Sequence, residues 1–307
     1  MMNLKVLNRL IKKSRYWHKR TSYSLFQRLA NHFERKKQEI IFDVIDELKV
    51  HSDSVAHDAN SGQSEVIWIC WFQGLDSAPE LVRRCIDSVH TNSDGLNVTI
   101  ITDNNFSDYV TLPADIIRKY NSGLIGKAHF SDILRCCLLY EYGGVWLDAT
   151  IFLTRGLSPS FLNGSFCSLR FKFSEGYGSI SNGFWATYFL ASEKKGYLIG
   201  CVKNVLINYW QEYDMAIDYF LMDYIFSFLF EKDPLARKII LSQPELGEER
   251  FLLKKNMSNT YTSELLDKFK QDSVGVYKLS YKEQYRITNN GQPTFYSKIL
   301  DGSFRLL

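Results

Sequence analysis

Between residues 65 and 148, short β-branched runs alternate with segments of helical apolar spacing, and this alternation restricts the possible folds more than any other feature. Val66 to Phe72 is a β-rich run ending at Gln73-Gly74, after which Leu81, Val82, Cys85, Ile86 and Val89 recur at helical spacing. Val98 to Thr102 is a second β-branched run, closed by the turn formers Asp103-Asn104-Asn105. A helical stretch from Ser131 to Tyr142 then leads through Gly143-Gly144 to Val145-Trp146-Leu147, a short apolar strand that stops at Asp148. The alternation predicts an α/β fold with a largely parallel sheet. In open sheets of this kind ligands collect outside the carboxyl ends of the strands, so Gln73, Asp103 and Asp148 are the first candidate site residues.

Further along, Phe166 to Phe173 and Gly183 to Leu190 read as strands, and Gly196 to Tyr213 and Ala216 to Phe230 as helices covering the sheet. Lys232 to Phe269 is charged and poorly periodic, and Tyr285 to Leu307 holds no motif. Ahead of the body, Leu4, Leu7, Leu10, Ile11 and Trp17, then Leu25, Phe26, Leu29 and Phe33, recur at helical spacing, and Ile40 to Leu48 continues the pattern. Residues 1–50 are therefore expected as a basic amphipathic helical arm, 51–64 as a linker and 65–307 as the catalytic body.

Charge separates these parts. Residues 1 to 37 carry 11 Lys or Arg against the single acid Glu34, which leaves the remaining 270 residues at −7 within a total of +3. An acidic body argues against nucleic acid as partner, whereas an anionic bilayer surface would attract the arm at about 1 kcal/mol per nearby basic residue. The alternative for the arm is a solvated helix packed on the body. No apolar run is long enough to span a bilayer, and the amino terminus lacks the pattern of a secretory signal. Six cysteines without a CxxC pair fit a reduced, cytosolic chain, with Cys136 and Cys137 packed in the core.

Several activities fall on missing motifs. The first strand is followed by Trp71-Phe72-Gln73-Gly74 rather than G-x-G-x-x-G, and no Walker A, H-E-x-x-H or G-x-S-x-G sequence occurs. What remains is Ala128 to Thr154, AHFSDILRCCLLYEYGGVWLDATIFLT. This segment resembles the capsular polysaccharide synthesis family, whose members are similar to DXD-containing sugar transferases of the mannosyltransferase type. Ile67 to Pro79, IWICWFQGLDSAP, Asp218 to Phe226, DYFLMDYIF, and Tyr277 to Lys282, YKLSYK, extend the resemblance over about residues 65 to 282, with the basic arm outside it. It implies a GT-A (Rossmann-like) nucleotide-sugar transferase fold, retention of anomeric configuration, and contacts from Asp132 and Arg135 to the donor sugar.

The residue types suit such a transferase, whose leaving nucleoside diphosphate must be neutralised as the glycosidic bond breaks. Asp148, at a strand end, is expected to bind Mn²⁺ or Mg²⁺ as a hard oxygen ligand, unless it only caps a turn. The D-x-D pattern departs here to Asp148-Ala149-Thr150, so Thr150 takes the second position and Asp218 or Asp223 is expected to add a carboxylate from the later helix. Asp132 and Arg135 share a helix face. Gly143 and Gly144 permit close backbone approach, or merely stop the helix. Trp71, Phe72, Gln73 and Gly74 suit a nucleobase and ribose pocket, with aromatic core filling as the alternative for the first two, and Asp103 is a ribose candidate or a plain turn. Asn182 and Trp185 are expected to reach and wall the reacting sugar, and Lys278 and Lys282 to face the diphosphate if their segment is helical.

The expected reaction is transfer of a hexose from a nucleotide sugar, a UDP sugar in the first instance, to a polyprenyl-linked glycan on the inner face of the plasma membrane, with the basic arm docking there. The missing second carboxylate motivates the alternative of a catalytically weak nucleotide-sugar-binding or membrane-anchoring subunit.

Overall fold

The computed structural model describes residues 3–49, 65–157, 161, 164–172 and 180–306; the expected linker lies outside the described residues. Its central sheet has five strands among the described residues. The expected parallel part is β1 (Val66–Cys70), β2 (Asn97–Ile101) and β3 (Gly144–Asp148), with β1 in the middle. Beyond β3 the sheet turns antiparallel through β6 (Phe189–Ser192) to β5 (Phe166–Ser168). Helices α3 (Glu80–Thr91), α4 (Phe106–Tyr109), α5 (Ala114–Asn121) and α6 (Lys127–Tyr142) fill the crossovers. The chain is thus α/β, with amino-terminal helices ahead of the sheet.

Strand alternation decides which face each side chain joins. Trp68, Trp146 and Leu190 enter the larger core, while Ile67, Ile69, Val145, Leu147, Phe189 and Ala191 enter the second one with Val82, Ile86 and Val89 of α3. The larger core also takes α6, α7 (Tyr197–Glu212) and α8 (Leu221–Lys232). A small outer ladder pairs β4 (Ile151–Leu153) with β7 (Val276–Lys278) antiparallel, bringing the late part of the chain back onto the residues that follow Asp148.

The amino-terminal segment is a hairpin of α1 (Leu4–Thr21) and α2 (Ser24–Lys49), turned at Ser22 in the left-handed conformation, φ 58°. Leu7 and Ile11 are buried, so this part of the stripe is used inside the hairpin, whereas Trp17 and Leu25 at its tip stay exposed. Ile41, Phe42, Ile45 and Leu48 of α2 belong to the larger core, with Phe42 edge-on to Phe228 of α8.

Three expected elements are shorter than their periodicity. The strand from Gly183 starts only at Phe189, because Asn182 (φ 45°) and Gly183 (φ 80°) form a left-handed turn. The helix from Ala216 starts at Leu221, after Asp218 has accepted the Phe220 N–H at 3.0 Å in a turn. The run from Phe166 leaves the sheet after Ser168. Conversely, the poorly periodic region holds α9 (Pro234–Ser242), α10 (Leu252–Asn256) and the start of α11 (Ser263–Gln271). Asp233 caps α9 through the Leu235 and Ala236 N–H groups, with Pro234 at the first helical position.

Candidate functional site

The register of the parallel strands lines up Ile101, Cys70 and Asp148 at one edge of the sheet. Asp148 is the hub there. Arg135 Nη2 donates to its Oδ1 at 3.2 Å and Trp146 Nε1 to the same oxygen at 3.1 Å, while Lys278 Nζ donates to Oδ2 at 2.8 Å. Lys278 Nζ also donates to Thr150 Oγ1 at 2.7 Å. Asp132, one turn before Arg135 on α6, accepts from Arg135 Nη1 at 3.1 Å. Asp223 of α8 accepts from Trp185 Nε1 at 3.0 Å.

Each position follows from its element. Arg135 projects from the sheet-facing side of α6, lies over the Trp146 ring at 4.8 Å and is 5% exposed. It therefore anchors the two carboxylates from behind and does not open onto solvent. Lys278 ends β7, where pairing with Ile151 places it across from the Asp148-Ala149-Thr150 turn, and its ammonium lies 5.0 Å from the Tyr188 ring centre.

Burial acts against every charge in this cluster, but the outcomes differ. Asp148 is held down at about 2, because Lys278 and Arg135 outweigh its desolvation. Asp132 is pushed up to about 7 by burial that Arg135 offsets only in part, with the charges of Asp223 and Asp148 adding to the rise. Burial likewise raises Asp223 to about 6, against the Trp185 hydrogen bond and Arg135.

The structure brings Asp132, Arg135, Asp148, Thr150, Lys278, Asp223 and Trp185 together and leaves the other candidates apart. Asp218 is paired with Lys37 of α2 at 2.6 Å, so its carboxylate is engaged by the hairpin. Asn182 is exposed on the left-handed turn. Trp185, 2% exposed, is stacked on Phe226 and acts through Asp223. Lys282 is exposed, because the segment is a strand followed by a turn and not the helix that facing the diphosphate together with Lys278 required. Gly144 stands at the amino end of β3, opposite Asp148, and Gly143 stops α6, its N–H bonding Leu139 O at 2.9 Å.

On the neighbouring strand ends, Phe72 is buried against Tyr120 and Phe130, which is the core-filling alternative. Trp71 meets the Tyr281 ring edge-on, and its buried Nε1 has no hydrogen-bond partner. Gln73 is exposed, and Gly74 takes φ 79° in the turn beyond β1. Asp103 accepts from Tyr120 Oη and from Lys127 Nζ, the latter at 3.2 Å.

Two residues without a motif in the sequence, Tyr188 and Arg250, also build the site: the Tyr188 carbonyl accepts the Asp148 N–H at 3.0 Å, and the Arg250 carbonyl accepts the Lys278 N–H at 2.7 Å. The Tyr188 ring lies beside the Lys278 ammonium and its hydroxyl is paired with the Arg250 side chain, contacts set by tertiary packing that no spacing in the sequence signals.

The expected divalent ion does not fit this donor set. Both Asp148 oxygens and the Thr150 hydroxyl already accept from N–H donors, and Asp223 is turned to Trp185. Among the described residues no three His, Cys, Asp or Glu side chains form a group able to hold a metal ion.

The sequence matches that of the capsular polysaccharide synthesis proteins over residues 18–299, and the chain belongs to this family. The match begins within α1, which corrects the expectation that the arm stands outside the recognisable part. The chain is also similar to the glycosyltransferase afumC of Aspergillus fumigatus, 28% identical over 126 residues. That stretch covers 38% of this chain and 30% of the fungal protein, less than a third of its length. The PaToxG glycosyltransferase overlays with a TM-score of 0.41 at 17% identity, covering 78% of this chain and 94% of that one.

Proposed function

We propose that the chain is a glycosyltransferase that moves a hexose from a nucleotide sugar, a UDP sugar in the first instance, to a lipid-linked glycan with retention of configuration. The observation that carries this reading is the convergence of Lys278 and the Arg135-backed Asp148 at the carboxyl ends of the parallel strands, in a member of this family. A fixed positive charge at that edge stabilises a departing diphosphate. The acceptor hydroxyl attacks the anomeric carbon on the face the diphosphate leaves: the carbon–phosphate oxygen bond breaks, the carbon–acceptor oxygen bond forms, and the hydroxyl proton passes to the diphosphate. Trp71, with its unpartnered indole N–H, is the donor-side candidate on the adjacent strand end.

A membrane-borne acceptor suits the hairpin tip. Trp17, Tyr23 and Leu25 are exposed there beside Phe26, with exposed Lys13, Lys19, Arg20 and Arg28 nearby. Apolar side chains among basic ones match an anionic bilayer surface, and we assign this tip to the cytoplasmic face of the membrane.

The test incubates the purified chain with labelled UDP and GDP sugars and a polyprenyl-linked lipid extract. One donor is expected to label the lipid, with its anomeric configuration retained by NMR, and folded Asp148→Ala to lose at least a hundredfold in rate. Neither transfer nor donor hydrolysis with any donor would leave the binding or anchoring subunit as the better reading. An inverted product would remove retention alone.

A further inference from the structure

We propose, resting on the glycosyl-transfer reading, that the Lys278 ammonium is the working cation of this site and that the diphosphate is held and released without a divalent metal. The Asp148-Ala149-Thr150 turn presents a carboxylate oxygen and a hydroxyl oxygen to one point, and Lys278 Nζ occupies it at 2.8 and 2.7 Å. Two carboxylates offset a dication; one carboxylate and one hydroxyl offset a single ammonium. A hydroxyl at the second position of the turn and a single ammonium set against it therefore match in charge.

The lysine is built into its place. Its backbone N–H donates to Arg250 O at 2.7 Å, and the next residue, Leu279, donates to Thr150 O at 2.9 Å. These two backbone bonds on either side of the stem set the height of the ammonium above the turn. An ammonium has three donors, of which Asp148 and Thr150 take two, and the side chain remains 21% exposed. The third donor is available to a phosphate oxygen from the open side.

A divalent ion entering the same point would have to displace this ammonium and then lie beside the Arg135 guanidinium, which is fixed on the other oxygen of Asp148. Like charges at such separations repel strongly in a partly buried site. When the donor's carbon–oxygen bond breaks, the diphosphate gains one negative charge. Lys278 faces that charge directly, and Asp148 and Arg135 are positioning residues behind it.

The test uses the full chain and the leaving groups themselves. UDP and, separately, GDP are titrated calorimetrically in EDTA and in excess Mn²⁺, and the Mn²⁺ paramagnetic resonance spectrum is recorded with protein alone. The affinity of the diphosphate that binds is expected to agree within threefold between the two buffers, with the free-ion Mn²⁺ spectrum retained. Folded Lys278→Ala is expected to bind it about tenfold more weakly in EDTA, the scale of one lost charge-assisted hydrogen bond. A gain of more than threefold with Mn²⁺, loss of the free-ion spectrum, or a folded Lys278→Ala that binds like the parent overturns the proposal. The comparison of buffers needs no variant, so it decides the matter even where Lys278→Ala does not fold. If neither diphosphate binds in either buffer, the glycosyl-transfer reading falls and this proposal with it; binding that requires Mn²⁺ removes this proposal alone.

Discussion

Asp132 and Asp148 share Arg135 yet ionise at opposite ends of the carboxylate range, about 7 against about 2. Asp148 has Lys278 as a second cation, whereas Asp132 has Arg135 as its one permanent cation, with His129 Nδ1 at 4.0 Å disfavoured from charging by burial, and faces the charges of Asp223 and Asp148. The consequence for stability follows from proton linkage. Between the unfolded carboxylate value, about 4, and the folded value of about 7, Asp132 holds a proton in the native state that the unfolded chain has lost. Stability therefore falls as pH rises through that window, at most by about 1.4 kcal/mol per unit for this one group. Asp148 has the opposite sign: its contribution is complete above about 4 and is lost as pH falls toward about 2. Asp132→Asn, which mimics the protonated form, is expected to make the decline between pH 5 and 7 in urea unfolding shallower, leaving the fall due to Asp223 and the opposing rise due to His129, whose charged form burial disfavours. An unchanged slope would place the titration elsewhere. The i, i+3 pair of Asp132 and Arg135 was legible in sequence. That Trp146 and Lys278 would claim the same carboxylate was not, because those contacts depend on the pleat of β3 and on a pairing 130 residues away.

At the level of elements, the three parallel strands and the helices α3 and α6 between them were readable, since each has its own period and its own stop signal, whereas α4 and α5, of four and eight residues, are too short to show one. The antiparallel edge and the short late helices were less so. Elements of five to nine residues such as α10 and α9 hold too few turns to show a period, although the Asp233-Pro234 cap was a readable signal that went unused. Gly143-Gly144 admitted two readings, and the structure divides them: Gly143 stops α6, while Gly144 permits close backbone approach, between β1 and β3. Gly144 has φ 93°, and a Cβ there would lie 2.3 Å from Val66 O on the adjacent strand. Relief requires parting β1 from β3 at their amino ends, because the obstacle is backbone and cannot rotate away. Gly144→Ala is thus expected to cost about 3 kcal/mol or more and to lower the melting temperature by several degrees. Diphosphate affinity of the folded fraction should be unaffected, since the contact lies at the far end of the strand from Asp148. Weakened binding without a lower melting temperature would return Gly144 to the donor site.

Across the whole molecule, the hairpin and the sheet behave as one packed unit. Lys37 reaches the nearly buried Asp218 at 2.6 Å, Gln38 Nε2 donates to Glu231 Oε1 at 2.7 Å, and Asn208 Nδ2 donates to Leu48 O at 3.1 Å. These bonds tie α2 to α7 and to α8, the helix that also carries Asp223. The amphipathic character of the arm was legible, but its partner was not: a helical stripe of Leu and Ile looks the same whether it meets lipid or another helix. With Leu7 and Ile11 used inside the hairpin, the surface left for a bilayer is the tip, where Trp17 and Phe26 stack at 6.3 Å and Tyr23 and Leu25 project into solvent. A tip fixed to the body in this way would set the orientation of the Asp148 edge relative to the membrane as well as its distance. Trp17→Glu combined with Leu25→Glu replaces two exposed apolar groups by anions, at a cost in stability within about 0.5 kcal/mol for Leu25 and about 1 kcal/mol or more for Trp17, which loses its stacking on Phe26, so the fold should persist. Against anionic lipid the same changes remove apolar insertion and add repulsion, so flotation with phosphatidylglycerol vesicles is expected to fall at least tenfold. The parent protein should float poorly with purely zwitterionic vesicles and lose binding as salt screens the basic residues. A double variant that floats like the parent would move the docking surface away from the tip, whereas parent binding indifferent to both lipid charge and salt would remove the electrostatic part of the argument.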